Sequence, residues 1–170
     1  MDWSKMFTSR VVVFGCGNVL YGDDGVGPAC VAALEHDPEL PEDVGLIDAG
    51  TSIRALLFDL CLGETGPDRV IVVDAITESG RRPGEVFEVD LDRMDRKKIP
   101  YFSMHQFPTT NLLKDLRDKT GTDVRVVVVQ AESIPEAMYE GLSPAVRESF
   151  SDLLSLVKSL AMPRGSDTVR

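Results

Sequence analysis

Residues 11–28 read VVVFGCGNVLYGDDGVGP. The run Val11–Gly15 is continuously apolar, as in a parallel strand buried on both faces. A glycine turn, Gly15-Cys16-Gly17, ends it. The acidic pair Asp23-Asp24 follows, and then a stretch with helical spacing, Gly25–His36, with Val26, Cys30, Ala33 and Leu34 on one face. Strand, glycine turn and helix in that order open an α/β fold. Helix N-termini carry partial positive charge and attract anions. Here the chain supplies its own anions at that point. A phosphate bound there would meet two carboxylates, a repulsion on the order of several kcal/mol in a partly dry site. A metal cation would be attracted.

Outward from this stretch, strand and helix signals alternate. Val44–Ala49 reads as a second strand. Thr51–Cys61 reads as a helix, capped by Thr51 or Ser52, with Ile53, Leu56, Leu57 and Leu60 inward. Arg69–Val73 is a strand like the first. Glu85–Asp90 mixes apolar Val86, Phe87 and Val89 with acidic Glu85, Glu88 and Asp90, too polar for a strand buried on both faces, which suits an edge strand. Thr110–Lys119 reads as a helix, Val124–Val129 as a buried strand, and Ser143–Leu160 as one long helix with Ser143 as cap and Pro144 at its first position. The loop Thr77–Gly84 has no helix, so the strand after it runs antiparallel. The expected fold is a single-domain, three-layer α/β/α sandwich around a mostly parallel, twisted five-stranded sheet with one antiparallel edge strand. Residues 1–9 and 163–170 read as short tails, leaving a core of about 10–162 in one domain spanning 1–170.

Composition narrows the class. Of 170 residues, 43% are hydrophobic and 27% charged, as in a soluble globular domain. The net charge of −10 makes a poor partner for nucleic acid or anionic lipid and a good one for a basic protein or peptide. No apolar run reaches the roughly 20 residues of a membrane span. MDWSKMFTSR lacks the apolar region of a signal peptide, so a cytoplasmic location is expected. Cys16, Cys30 and Cys61 are an odd count without metal-ligand spacing. They read as reduced thiols, with Cys30 and Cys61 in the core.

In open α/β sheets, ligands bind beyond the carboxyl ends of the strands, near the switch in strand order. Three polar groups converge there on this reading: Asp24 after the first strand, Asp74 at the end of Val70–Val73, and His105 in the loop IPYFSMHQFP. Two carboxylates and an imidazole suit nickel or zinc. Each residue alone has a plainer reading. Asp24 could cap a helix, Asp74 could hold a turn, and His105 could be structural; only the combination points to a metal. His36, near a helix C-terminus, is assigned no function.

Other chemistries fit less well. Gly15 and Gly17 begin a dinucleotide fingerprint, but its third glycine falls on Leu20, and the acid ending the second strand is Asp48, too far on for the ribose. No G-x-S-x-G elbow is present. Pairing of Cys16 with His105 would need a depressed thiol pKa, which neighbouring carboxylates oppose. Ser103 lies two residues from His105, but on a loop this spacing does not establish a hydrogen bond.

GCGNVLYGDDGVGP resembles the G-x-G-N-x-L-x-x-D-[DE]-x-x-G motif of the nickel–iron hydrogenase maturation endopeptidases. IDAGTSIRALLFDL, VIVVDAI, SMHQF, QAESIPE and GLSPAV resemble further family segments in the same order, so the resemblance covers about residues 10–160. The GCGN start and the DDG-x-GP form resemble the branch serving deazaflavin-reducing hydrogenases of methanogenic archaea.

The resemblance implies an endopeptidase that removes a C-terminal extension from the hydrogenase large-subunit precursor after nickel insertion. It places nickel binding, and with it catalysis, on Asp24, Asp74 and His105. It also implies a docking or cleft-shaping role for Asp48 and a loop-orienting role for Gln106. Nickel arrives with the precursor, and the free protein, expected as a monomer, holds no tight metal. Two other classes remain in play: a non-catalytic chaperone that checks nickel in the same precursor, and a small-molecule metallohydrolase with its own metal.

Overall fold

The computed structural model describes residues 3–92 and 107–163. Its centre is the strand β1 (Val11–Cys16), every residue of which is buried. Four more strands flank it: β2 (Val44–Gly50), β3 (Arg69–Ile76), β4 (Val86–Val89) and β5 (Asp123–Gln130). Their order is β2-β1-β3-β5-β4, with β4 antiparallel to β5 and the other pairs parallel. β3 is buried along all eight residues, because helices cover both faces. The acid-rich β4 lies at the edge, as its mixed pattern predicts.

Seven helical segments or turns complete the described residues: α1 (Lys5–Thr8), a 3₁₀ turn (Gly22–Gly25), α2 (Val26–Leu34), α3 (Ile53–Leu62), α4 (Phe107–Thr120), α5 (Pro144–Glu148) and α6 (Phe150–Ala161). Alternation along the strands sorts the core into two layers. Val12, Phe14, Val70, Val72 and Val126 face α1, α3 and α4. Val11, Val13, Ile71, Val73 and Val127 face α2, α5 and α6. The helical spacing of Ile53, Leu56, Leu57 and Leu60 carries α3 onto the first layer, and all four are buried. Truncating a fully buried member such as Leu57 to alanine costs about 2–5 kcal/mol.

Four details depart from the sequence reading. Residues 5–8 form a helix rather than a tail, because Met6 inserts into the α3 layer. Strand β3 runs past Asp74 to Ile76, since β5 continues to pair with it. The long closing helix is two helices. Ser149, at φ −90° and ψ 1°, separates α5 from α6, and Gly84 presses on this joint so closely that a Cβ there would lie 2.5 Å from Ala145 O. Cys61 is half-buried rather than a core residue, while Cys30 is buried.

Candidate active site

The last pair between β1 and β3 is Gly15 with Val73. β1 then shifts register and pairs Cys16 with Gly50 of β2, whereas β3 continues along β5 to Gln130. The sheet therefore parts between β1 and β3, at the point where α/β sheets open a ligand crevice. Asp74 is the first residue of β3 beyond that parting. It is fully buried, and its Oδ1 accepts the Ala75 N–H at 2.9 Å.

Asp24 reaches the same place through glycine. Gly17 has φ +114°, and a Cβ on it would lie 1.8 Å from the Asp24 carbonyl oxygen. Only glycine allows that approach. The turn so formed points the Asn18 N–H at Asp24 Oδ2, 2.8 Å away, while the Asn18 side chain accepts the Leu20 N–H at 3.0 Å. Gly27 completes the fit. A Cβ there would be 2.6 Å from Val73 O, so the first turn of α2 rests on the strand tips and the 3₁₀ turn carrying Asp24 touches β3. Asp24 is buried.

Asp23 does something else. Its Oδ2 accepts the Glu132 N–H at 2.9 Å and its Oδ1 the Ser143 N–H at 2.7 Å. It clamps the segment after β5 and the start of α5 to the 3₁₀ turn. The two adjacent aspartates thus divide: Asp23 organises the rim, and Asp24 is held by the Asn18 N–H in the turn after β1. Asp48 is half-buried, and its Oδ1 accepts the Gly50 N–H at 2.9 Å, shaping the turn after β2.

Cys16 locates the acids relative to one another. Its thiol is fully buried, which pushes its pKa far up; the negative charges of Asp74, Asp48 and Asp24, in that order, push it further. Three carboxylates therefore act on one point at the tip of β1. Burial and these charges hold the thiol in its neutral form, which is a poor nucleophile. Among the described residues, no three His, Cys, Asp or Glu side chains are grouped to hold a metal ion. Asp24 and Asp74 offer two carboxylates. His105 and Gln106 lie outside the described residues, and α4 begins at the next residue, Phe107. Sequence reasoning missed Asn18 as the backbone donor to Asp24, although an Asn in a tight turn is a usable signal.

Comparison with known proteins points to one family. The model of the hydrogenase maturation protease family matches residues 28–160. A coenzyme F420 hydrogenase subunit delta from Methanothermobacter thermautotrophicus is 33% identical, over 89% of this chain and 94% of that protein. The hydrogenase 2 maturation protease of Escherichia coli is 28% identical over 94% of this chain and 95% of its own. The solved structure of the Escherichia coli hydrogenase maturating endopeptidase HybD superposes with a TM-score of 0.70 at 30% identity, covering 89% of this chain and 91% of that one. The chain belongs to the hydrogenase maturation protease family.

Proposed function

We propose that this protein is an endopeptidase that removes the C-terminal extension of a nickel–iron hydrogenase large-subunit precursor after nickel has been inserted. The observation that carries the reading is the pair of buried carboxylates, Asp24 and Asp74, brought to the crevice of a maturation-protease fold. Nickel is part of the substrate here. The precursor's own thiolates hold one side of the ion, and Asp24, Asp74 and His105 bind the other. A precursor without nickel loses those bonds and is not held. Asp48 lies within electrostatic reach of the same point and shapes the cleft wall.

Two carboxylates beside a divalent ion support hydrolysis by two routes. The metal can polarise the scissile carbonyl or activate a water, or a carboxylate can take the proton from that water. Asp24→Asn and Asp74→Asn, with binding scored apart from cleavage, separate them: a metal route loses both together, a base route loses cleavage first. The match to a coenzyme F420 hydrogenase subunit favours a deazaflavin-reducing hydrogenase as the enzyme served. Among the described residues no helix is long and apolar enough to cross a membrane.

The test is incubation with nickel-loaded and nickel-free precursor, followed by intact mass. Loss of a C-terminal peptide from the loaded form alone supports the reading. Binding without a mass change would make the protein a nickel-checking chaperone. Cleavage of both forms would remove nickel from the recognition step.

A further inference from the structure

The crevice has a rim that the reaction above does not use. After β5, residues 131–142 cross over the turn that carries Asp24. Tyr139 pairs in parallel with Tyr21: its N–H donates to Leu20 O at 2.8 Å, and its carbonyl accepts the Gly22 N–H at 2.7 Å. Backbone groups alternate sides along an extended strand. Both backbone groups of Tyr139 are taken up by the turn, and the N–H groups of Met138 and Glu140 on either side have no backbone partner among the described residues. This one-residue bridge leaves a short stretch of exposed backbone beside the turn that carries Asp24. It is fixed in place, because Asp23 clamps Glu132 and Ser143 at either end of the segment.

The chemistry of that edge is specific. Met138 and Tyr139 are 72% and 63% exposed, and Val19 and Leu20 are exposed beside them. Large apolar side chains left together in water mark a contact surface. Around them stand the exposed carboxylates of Glu132, Glu136 and Glu140. The two segments that build this rim contain no Lys or Arg from residue 11 to 53 or from 126 to 146. The matching ligand is an extended peptide with apolar and basic side chains.

We infer that the Met138–Glu140 edge captures an extended, basic and apolar segment of the polypeptide substrate by strand addition, next to the bond that is cut. Main-chain hydrogen bonds to Met138 and Glu140 give the hold, and the glutamates select basic sequence. The inference rests on the protease reading for the identity of the substrate, but not for the existence of the edge.

Two synthetic decapeptides, one alternating Val with Lys and one alternating Val with Glu, test it. The Val/Lys peptide is expected to shift the amide resonances of Met138 and Glu140 and slow their hydrogen exchange, while the Val/Glu peptide does not. The double variant Glu136→Lys, Glu140→Lys changes only exposed side chains. It is expected to weaken the Val/Lys peptide about tenfold and to admit the Val/Glu peptide. Equal response to both peptides, or shifts confined to other surfaces, overturns the inference. Precursor cleavage supplies the second arm, where the double variant should raise KM and leave kcat unchanged. If the wild-type protein cleaves the precursor and the variant's KM does not move, the docking role is wrong and the protease reading stands. If the Val/Lys peptide binds at the edge and no precursor is cleaved, the edge stands and the protease reading fails.

Discussion

The two ends of the sheet treat their acids in opposite ways. At the amino ends of the parallel strands, Asp43 and Asp123 each meet an arginine. Arg10 Nε donates to Asp43 Oδ2 at 2.6 Å, and Arg69 Nε to Asp123 Oδ2 at 2.7 Å. The same guanidiniums reach the last carbonyls of α6, Arg10 to Ala161 at 3.2 Å and Arg69 to Leu160. Cations there also complement the helix dipole. At the carboxyl ends, Asp23, Asp24, Asp48 and Asp74 each accept a backbone N–H. A guanidinium neutralises a carboxylate and locks two elements together. An N–H orients a carboxylate without pairing it to a cation. One end ties elements together through ion pairs, and the other holds its acids through backbone N–H groups.

That contrast can be broken by substitution. Asp74→Asn preserves shape and removes charge at the chemical end. Precursor cleavage should fall on the order of 10²–10⁴-fold, with a cooperative thermal transition retained. An unchanged rate would remove Asp74 from the reaction. Gly17→Ala should damage both properties. Its Cβ would sit 1.8 Å from Asp24 O, so the turn must move, at about 2–4 kcal/mol by urea denaturation. The Asn18 N–H leaves Asp24 in the same movement, and cleavage drops with it. Arg69→Met probes the cohesive end. Its side chain is 11% exposed and its partner Asp123 33%, so the loss is discounted for solvent to about 1–3 kcal/mol. Its kcat and KM should match the wild type. A fall in kcat there would blur the division between the ends.

The smallest effect concerns the thiols. Burial pushes the Cys30 thiol from about 9 up to about 12. A folded-state pKa above the unfolded value means that this contribution is fully present below pH 9. It is lost as pH rises from 9 through 12. Chemical denaturation across that range should show stability falling with pH. Cys30→Ala, although less stable overall, should show a shallower fall. Parallel slopes for the two proteins would mean that Cys30 is not buried as described.

The sheet was legible because its strands are buried on both faces and read as runs such as Val70–Val73 and Val126–Val129. The placement of Asp24 and Asp74 beyond the carboxyl ends of β1 and β3 was legible from their positions after Val11–Gly15 and Val70–Val73. The role of Asp23 was not, since its partners lie 109 and 120 residues away in the chain. The break at Ser149 was hidden for the same reason: Gly84, which presses on it, lies just before the edge strand β4, far earlier in the chain. Met6 was read as tail because a four-residue helix has too few positions to show a period. The open edge at Met138–Glu140 is a property of which way Tyr139 faces, and no composition rule carries that.

The most direct measurement is equilibrium binding of uncleaved nickel-loaded and nickel-free precursor to wild type, Asp74→Asn and Arg69→Met. The account predicts that wild type and Arg69→Met prefer the nickel-loaded form, and that Asp74→Asn does not discriminate. Equal affinity of the wild-type protein for both precursors, or undiminished preference in Asp74→Asn, would contradict it.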